Sequence, residues 1–138
     1  MQLLAEEIMR IHVVCEQAKE IKDDGSGYLR VIPIVGGTFE GKICGTVVCG
    51  GADWNTEKNN GISHVFAKYM LKTQDGEMIA IENEGKILFK DDSRIKTTPR
   101  FQISGDSQYS WLNYGVYVGE LLPGKENGQI EIIIYRLK

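Results

Sequence analysis

The stretch His64-Val-Phe-Ala-Lys-Tyr-Met-Leu-Lys-Thr-Gln-Asp-Gly-Glu-Met-Ile-Ala-Ile-Glu-Asn83 decides the fold class. Asp75-Gly76 separates two runs in which apolar and polar residues alternate, the mark of a β-hairpin. Two loop lengths compete. A two-residue turn sets Tyr69 against Glu82 and Lys68 against Asn83, which mixes polar and apolar residues on both faces. A three-residue loop, Gln74-Asp75-Gly76, puts Gly76 in the left-handed position of a bulged turn. Ala67, Tyr69 and Leu71 then face Asn83, Ile81 and Ile79, and Lys68 lies opposite Glu82 on the other face. A slip of one residue moves every side chain to the opposite face, so the second register is the consistent one. It turns Tyr69 and Asn83 toward the apolar side. An amide there needs a backbone partner or a wet cavity.

Working outward, the rest of the chain reads as strands cut by glycine. Leu3 to Val14 fits a helix stripe or a strand, and the β-branched end Ile11-His-Val-Val favours strand. Asp23-Asp-Gly-Ser-Gly is a loop. Arg30 to Val35 is a strand stopped by Gly36-Gly37, and Ile43 to Val48 is one stopped by Gly50-Gly51. Thr98 to Ile103, Gln108 to Leu122 with a break near Gly115, and Gln129 to Leu137 follow. The last carries Ile130, Ile132 and Ile134 on one face and Ile133 and Tyr135 on the other, as a strand covered on both sides does. Eight or nine short strands leave two architectures open, sandwich or barrel.

The chain has 138 residues, 42% hydrophobic and 25% charged, with a net charge of −3. That suits one domain over 1–138 with its own core. The negative balance disfavours nucleic acid. The basic stretch Lys86, Lys90, Arg94, Lys96 and Arg100 is broken by Asp91 and Asp92 and reads as a solvated loop. Three cysteines, Cys15, Cys44 and Cys49, form no complete disulfide set. With His12 and His64 they lack metal-ligand spacing, so no metal or cofactor is expected. Reduced thiols and an N-terminus without a signal-peptide pattern point to the cytoplasm. No apolar run approaches the ~20 residues of a membrane helix.

Two segments can carry chemistry. Gly50-Gly-Ala-Asp-Trp54 sets Asp53 beside a large apolar ring, a setting that raises a carboxyl pKa and suits a general acid or base; a turn aspartate beside a core tryptophan is the plain alternative. Tyr109-Ser-Trp-Leu-Asn-Tyr-Gly-Val-Tyr117, if extended, puts Tyr109, Trp111, Asn113 and Tyr117 on one face. That suits a small-molecule site or a subunit interface. Gly36-Gly-Thr-Phe-Glu-Gly41 lacks the lysine and following helix of a phosphate loop. Ser104-Gly-Asp-Ser107 reads as a turn.

Several blocks occur in a fixed order: Pro33-Ile-Val-Gly-Gly-Thr-Phe-Glu-Gly41, Gly50-Gly-Ala-Asp-Trp54, Tyr69-x-Leu71 followed by Asp75-Gly76, Asn83-x-Gly85, Thr98-Pro-Arg-Phe101 and Tyr109-x-Trp-Leu-Asn113. Together they resemble a bacterial and fungal family known as domain of unknown function 3237. The resemblance runs from Arg30 to the C-terminus. It implies an all-β fold, a single antiparallel β-barrel of about 8–9 strands of the lipocalin or allene-oxide-cyclase kind, and no established activity. Its pattern falls on Phe39, Asp53, Trp54, Asn83, Arg100, Phe101, Trp111 and Asn113. One departure is Asn60-Gly61, where the family carries Asp-Gly, so no acid stands there.

The expectation is a barrel that binds a small organic ligand at its mouth. Trp54, Tyr69, Phe101 and Trp111 form its walls, Asp53, Asn83, Arg100 and Asn113 orient polar groups, and the resemblance adds Phe39 to the ligand-binding set. Arg100 would select an anionic oxygen or pair with Asp53. The alternatives are a cofactor-free isomerase, cyclase or hydrolase using Asp53 as acid or base, and a structural module forming a homo-oligomer through its aromatic strand.

Overall fold

A computed structural model describes residues 1–88 and 95–138; Lys90, Asp91, Asp92 and Arg94 of the basic stretch lie outside them. The described chain forms nine strands: β1 (Ala5–Cys15), β2 (Lys19–Asp23), β3 (Gly27–Gly41), β4 (Gly45–Lys58), β5 (Ile62–Thr73), β6 (Met78–Leu88), β7 (Ile95–Gln102), β8 (Tyr117–Pro123) and β9 (Gln129–Leu137). A short 3₁₀ turn, Ser110–Tyr114, precedes β8. Neighbours run in the order β1-β9-β8-β7-β6-β5-β4-β3-β2, and a further pairing of β1 with β3 closes the ring. Eight antiparallel strands thus make a barrel without a free edge inside it. β2 stands outside the ring on the first half of β3, whose second half pairs with β1.

The central hairpin has the register its alternation demands. Ala67 faces Asn83, Tyr69 faces Ile81 and Leu71 faces Ile79. Lys68 Nζ lies 3.1 Å from Glu82 on the outside. Gly76 takes φ +91°. Thr73 ties the loop, accepting from the Glu77 amide while its hydroxyl donates to Asp75. The N-terminal segment is a strand, and Ile132 to Ile134 are buried on both faces of β9.

Both double glycines depart from expectation. They do not end strands; β3 and β4 run straight through them. The pairing shifts between Ile34 and Thr38 on β3 and between Val48 and Ala52 on β4, so each pair is a bulge that bends a long strand around the barrel. Gly37 and Gly50 sit at φ +134° and +120°. A Cβ on Gly37 would collide with the His12 carbonyl, and one on Gly51 with the Tyr69 side chain. The glycines serve close backbone approach, which looks in sequence like a break.

The second correction concerns Gln108 to Leu122. Its first part is not extended. Residues 110–114 form the 3₁₀ turn, which plugs one end of the barrel with Leu112, 1% exposed. Tyr109, Trp111, Asn113 and Tyr117 therefore do not share a strand face. Phe39, Leu71, Ile79, Phe101, Leu112 and Tyr117 belong to one core cluster, with the Phe101 and Tyr117 rings edge to face at 5.1 Å.

Candidate functional site

The end of the barrel away from the plug holds an interior cavity. Its geometry follows from inward positions on successive strands. Asp53 on β4 faces Ala67 on β5, Ala67 faces Asn83 on β6, and Asn83 faces Pro99 on β7. Thr97 on β7 faces Gly119 on β8. Ala67 is too small to fill the barrel, and Gly119 lacks the side chain that would crowd Thr97. A Cβ on Gly119 would collide with Thr97 Oγ1 and come within 3.5 Å of Asn83 Oδ1. The space beside Ala67 is lined by Asp53, Tyr69, Asn83, Thr97 and Cys15 among apolar neighbours that include Val13, Ile34 and Ile132. Its volume is about 40 Å³, room for roughly three waters. With the solvent at its mouth the empty space reaches about 440 Å³.

Three side-chain atoms in this cavity are buried without a hydrogen-bond partner: Tyr69 Oη, Asn83 Oδ1 and Thr97 Oγ1. Such atoms are few in native proteins, and leaving one unpaired costs about 1–3 kcal/mol. Asp53 adds an acid. Its Oδ1 accepts the Phe66 amide at 3.0 Å. Burial raises its pKa, while the Phe66 bond and nearby His64 pull it back in part. Burial likewise pushes the Tyr69 phenol well above its usual range, with Cys15 and Asp53 adding to it. The Cys15 thiol is raised by burial and then by Asp53. A raised thiol is a weak nucleophile. Among the described residues no Lys, Arg or His lines the cavity, and no three His, Cys, Asp or Glu side chains cluster to hold a metal ion.

The expected single site of Asp53, Trp54, Asn83, Arg100, Trp111 and Asn113 is therefore split. Asp53 and Asn83 meet in the cavity, with Tyr69. Trp54, adjacent to Asp53, points to the other side of β4 and is 50% exposed. Arg100 lies on the outer face opposite Glu82; it neither enters the cavity nor stands among the groups acting on Asp53. Phe39 and Phe101 are core. Trp111 packs at the plugged end, with the Arg136 guanidinium 5.1 Å above its ring. Asn113 is structural: its amide accepts the Ile103 N–H and donates to the Ile103 carbonyl, both at 2.9 Å, and so replaces a strand neighbour. His64 bonds Glu84 outside the cavity lining. Thr97 is the residue sequence reasoning missed. The alternation Thr97, Pro99, Phe101 would have found it by extending β7 back one residue.

The comparisons with known proteins fit this architecture. The UPF0311 protein blr7842 of Bradyrhizobium diazoefficiens is 32% identical over 116 residues, covering 70% of this chain and 72% of its own. A beta-barrel like protein of Acinetobacter baumannii AYE has a crystal structure similar to this one, with a TM-score of 0.87 and 28% identity, covering 100% of this chain and 98% of its own. The crystal structure of an enzyme from Penicillium herquei matches at a TM-score of 0.79 and 19% identity, over 100% and 96%, a likeness of fold. A family model described as "Protein of unknown function (DUF3237)" matches residues 5–137. The chain belongs to that family.

Proposed function

We propose that the protein binds a small, uncharged, hydrogen-bonding molecule, or the polar tip of a larger one, in the cavity at the open end of its barrel. The observation that carries this reading is the gathering of three unpartnered buried atoms, Tyr69 Oη, Asn83 Oδ1 and Thr97 Oγ1, in one space. Apolar walls with a few orienting polar groups are what small-molecule sites use. Asn83 Oδ1 asks for a donor, and the two hydroxyls can give or accept. Among the described residues no cation lines the cavity to hold an anion, which favours a neutral ligand over an anionic one. The test is thermal stability with phenol, cyclohexanone and acetamide, and with acetate as the charged control. A neutral probe raises the wild-type Tm with concentration, and Asn83→Leu loses that rise. If no neutral probe acts, or Asn83→Leu responds as the wild type does, the reading fails.

A second reading, a cofactor-free enzyme using Asp53 as acid or base, rests on the raised pKa of that carboxyl and the fixing of one of its oxygens by Phe66. Such a carboxyl is a better base than an exposed one once ionised. Exchange of the α-protons of cyclohexanone for deuterium, followed by NMR, tests it. Wild type accelerates exchange over buffer and Asp53→Asn does not; equal rates in the two remove Asp53 from any such role.

A further inference from the structure

At the plugged end, on the outside, Ile8, Lys42, Gln108, Tyr109, Trp111 and Arg136 line an open cleft of about 390 Å³. It lies between β1, β9, the residues after β3 and the 3₁₀ turn. Two aromatic side chains, Tyr109 and Trp111, give it apolar surface, while Ile8 is buried beneath it. Two cations stand over that surface, and they are not equivalent. Lys42 is ion-paired with Glu6, which Lys138 also contacts. Arg136 makes no ion pair among the described residues. It is half-buried and stacked on Trp111, 5.1 Å from the ring. Stacking holds the guanidinium plane without using its N–H donors. The facing wall is fixed from behind: the Gln108 amide donates to Asp75 at 3.0 Å and the Tyr109 hydroxyl to the same carboxylate at 3.4 Å.

We propose that this cleft is a second binding site, separate from the interior cavity, for an aromatic carboxylate. The ring would lie against Tyr109 and Trp111. The carboxylate would take the free guanidinium edge of Arg136, with Lys42 beside it. A planar carboxylate matches a guanidinium in two parallel hydrogen bonds, which a bare halide or a neutral ring cannot form. The aromatic walls distinguish it from acetate, and the cations distinguish it from the neutral ligand of the cavity.

The test uses 2-naphthoate and its uncharged analogue 2-naphthol. Trp54→Phe leaves Trp111 as the sole indole, and its Nε1–H resonance is followed by NMR while calorimetry gives the affinity. Naphthoate should shift the Trp111 resonance saturably and bind more weakly as salt rises. Arg136→Gln should weaken it about tenfold or more, Arg136→Lys should weaken it less, and Asn83→Leu should leave it unchanged. Near-UV circular dichroism of Arg136→Gln establishes that the aromatic packing survives, and Arg136→Lys carries the test if it does not. The proposal is overturned if naphthoate at millimolar concentration leaves the Trp111 resonance in place. It is equally overturned if naphthol binds as tightly as naphthoate, or if Asn83→Leu rather than Arg136→Gln removes binding.

Discussion

At the plugged end of the barrel, Thr73, Ser107, Asn113 and Tyr117 each have partners. Thr73 bonds Asp75 and the Glu77 amide, Ser107 donates to Glu77, Asn113 serves both backbone groups of Ile103, and Tyr117 donates to the Trp111 carbonyl. At the open end, Tyr69, Asn83 and Thr97 are as deeply buried, at 3%, 2% and 3% exposure, yet each keeps an atom without a partner. The same strands build both ends, so the fold is able to satisfy buried polar groups. Where it does so, the groups hold a plug in place. Where it does not, empty space beside Ala67 adjoins them. The contrast separates polar groups paired at the plug from polar groups left unpaired beside empty space.

The contrast predicts unequal responses to substitution. The largest belongs to the plug. Leu112→Ala removes a fully buried side chain and should destabilise by about 2–5 kcal/mol in urea unfolding. A loss under ~1 kcal/mol would mean the 3₁₀ turn is dispensable to the barrel. Asn113→Ala comes next, because it strips both Ile103 backbone groups of their partner; about 1–3 kcal/mol is expected, and a neutral change would mean that strand or solvent replaces the amide.

Smaller, and opposite in sign, is the effect of Asp53→Asn at the open end. The folded state holds the Asp53 proton more tightly than the unfolded chain does, because burial raises its pKa. Stability from this group therefore falls as pH rises from the unfolded value through the raised folded one, and is level above it. The variant should be more stable than wild type at neutral pH, with the gap closing as pH falls through the carboxylate range. A gap independent of pH would show that burial of the charge is not its cause.

What was legible in the sequence was local. The hairpin register could be read because strand alternation and one glycine decide it, and the same parity turned Tyr69 and Asn83 inward. Parity also speaks against placing Trp54 with Asp53, or Arg100 with Phe101, in one site: neighbours on a strand face opposite sides, and nearness in sequence had stood in for nearness in space. The double glycines could not be read alone, since what Gly37 requires is the approach of the His12 carbonyl on another strand. Nor could the 3₁₀ turn, whose aromatic residues suit a strand as well. The inward turn of Tyr69 and Asn83 pointed to a cavity, but its lining depends on which strands close around Ala67.

The most direct test of the two-ended account is the urea midpoint of the double variant Tyr69→Phe, Thr97→Val, measured without ligand. Both changes delete an unpartnered hydroxyl and keep the shape of the side chain nearly the same. Unpaired groups hinder folding, so the account predicts a midpoint equal to or above that of wild type, together with loss of stabilisation by neutral probes. A lower midpoint that corresponds to a loss of more than ~1 kcal/mol of unfolding free energy would mean that these hydroxyls already support the fold, and the distinction between the two ends would be gone.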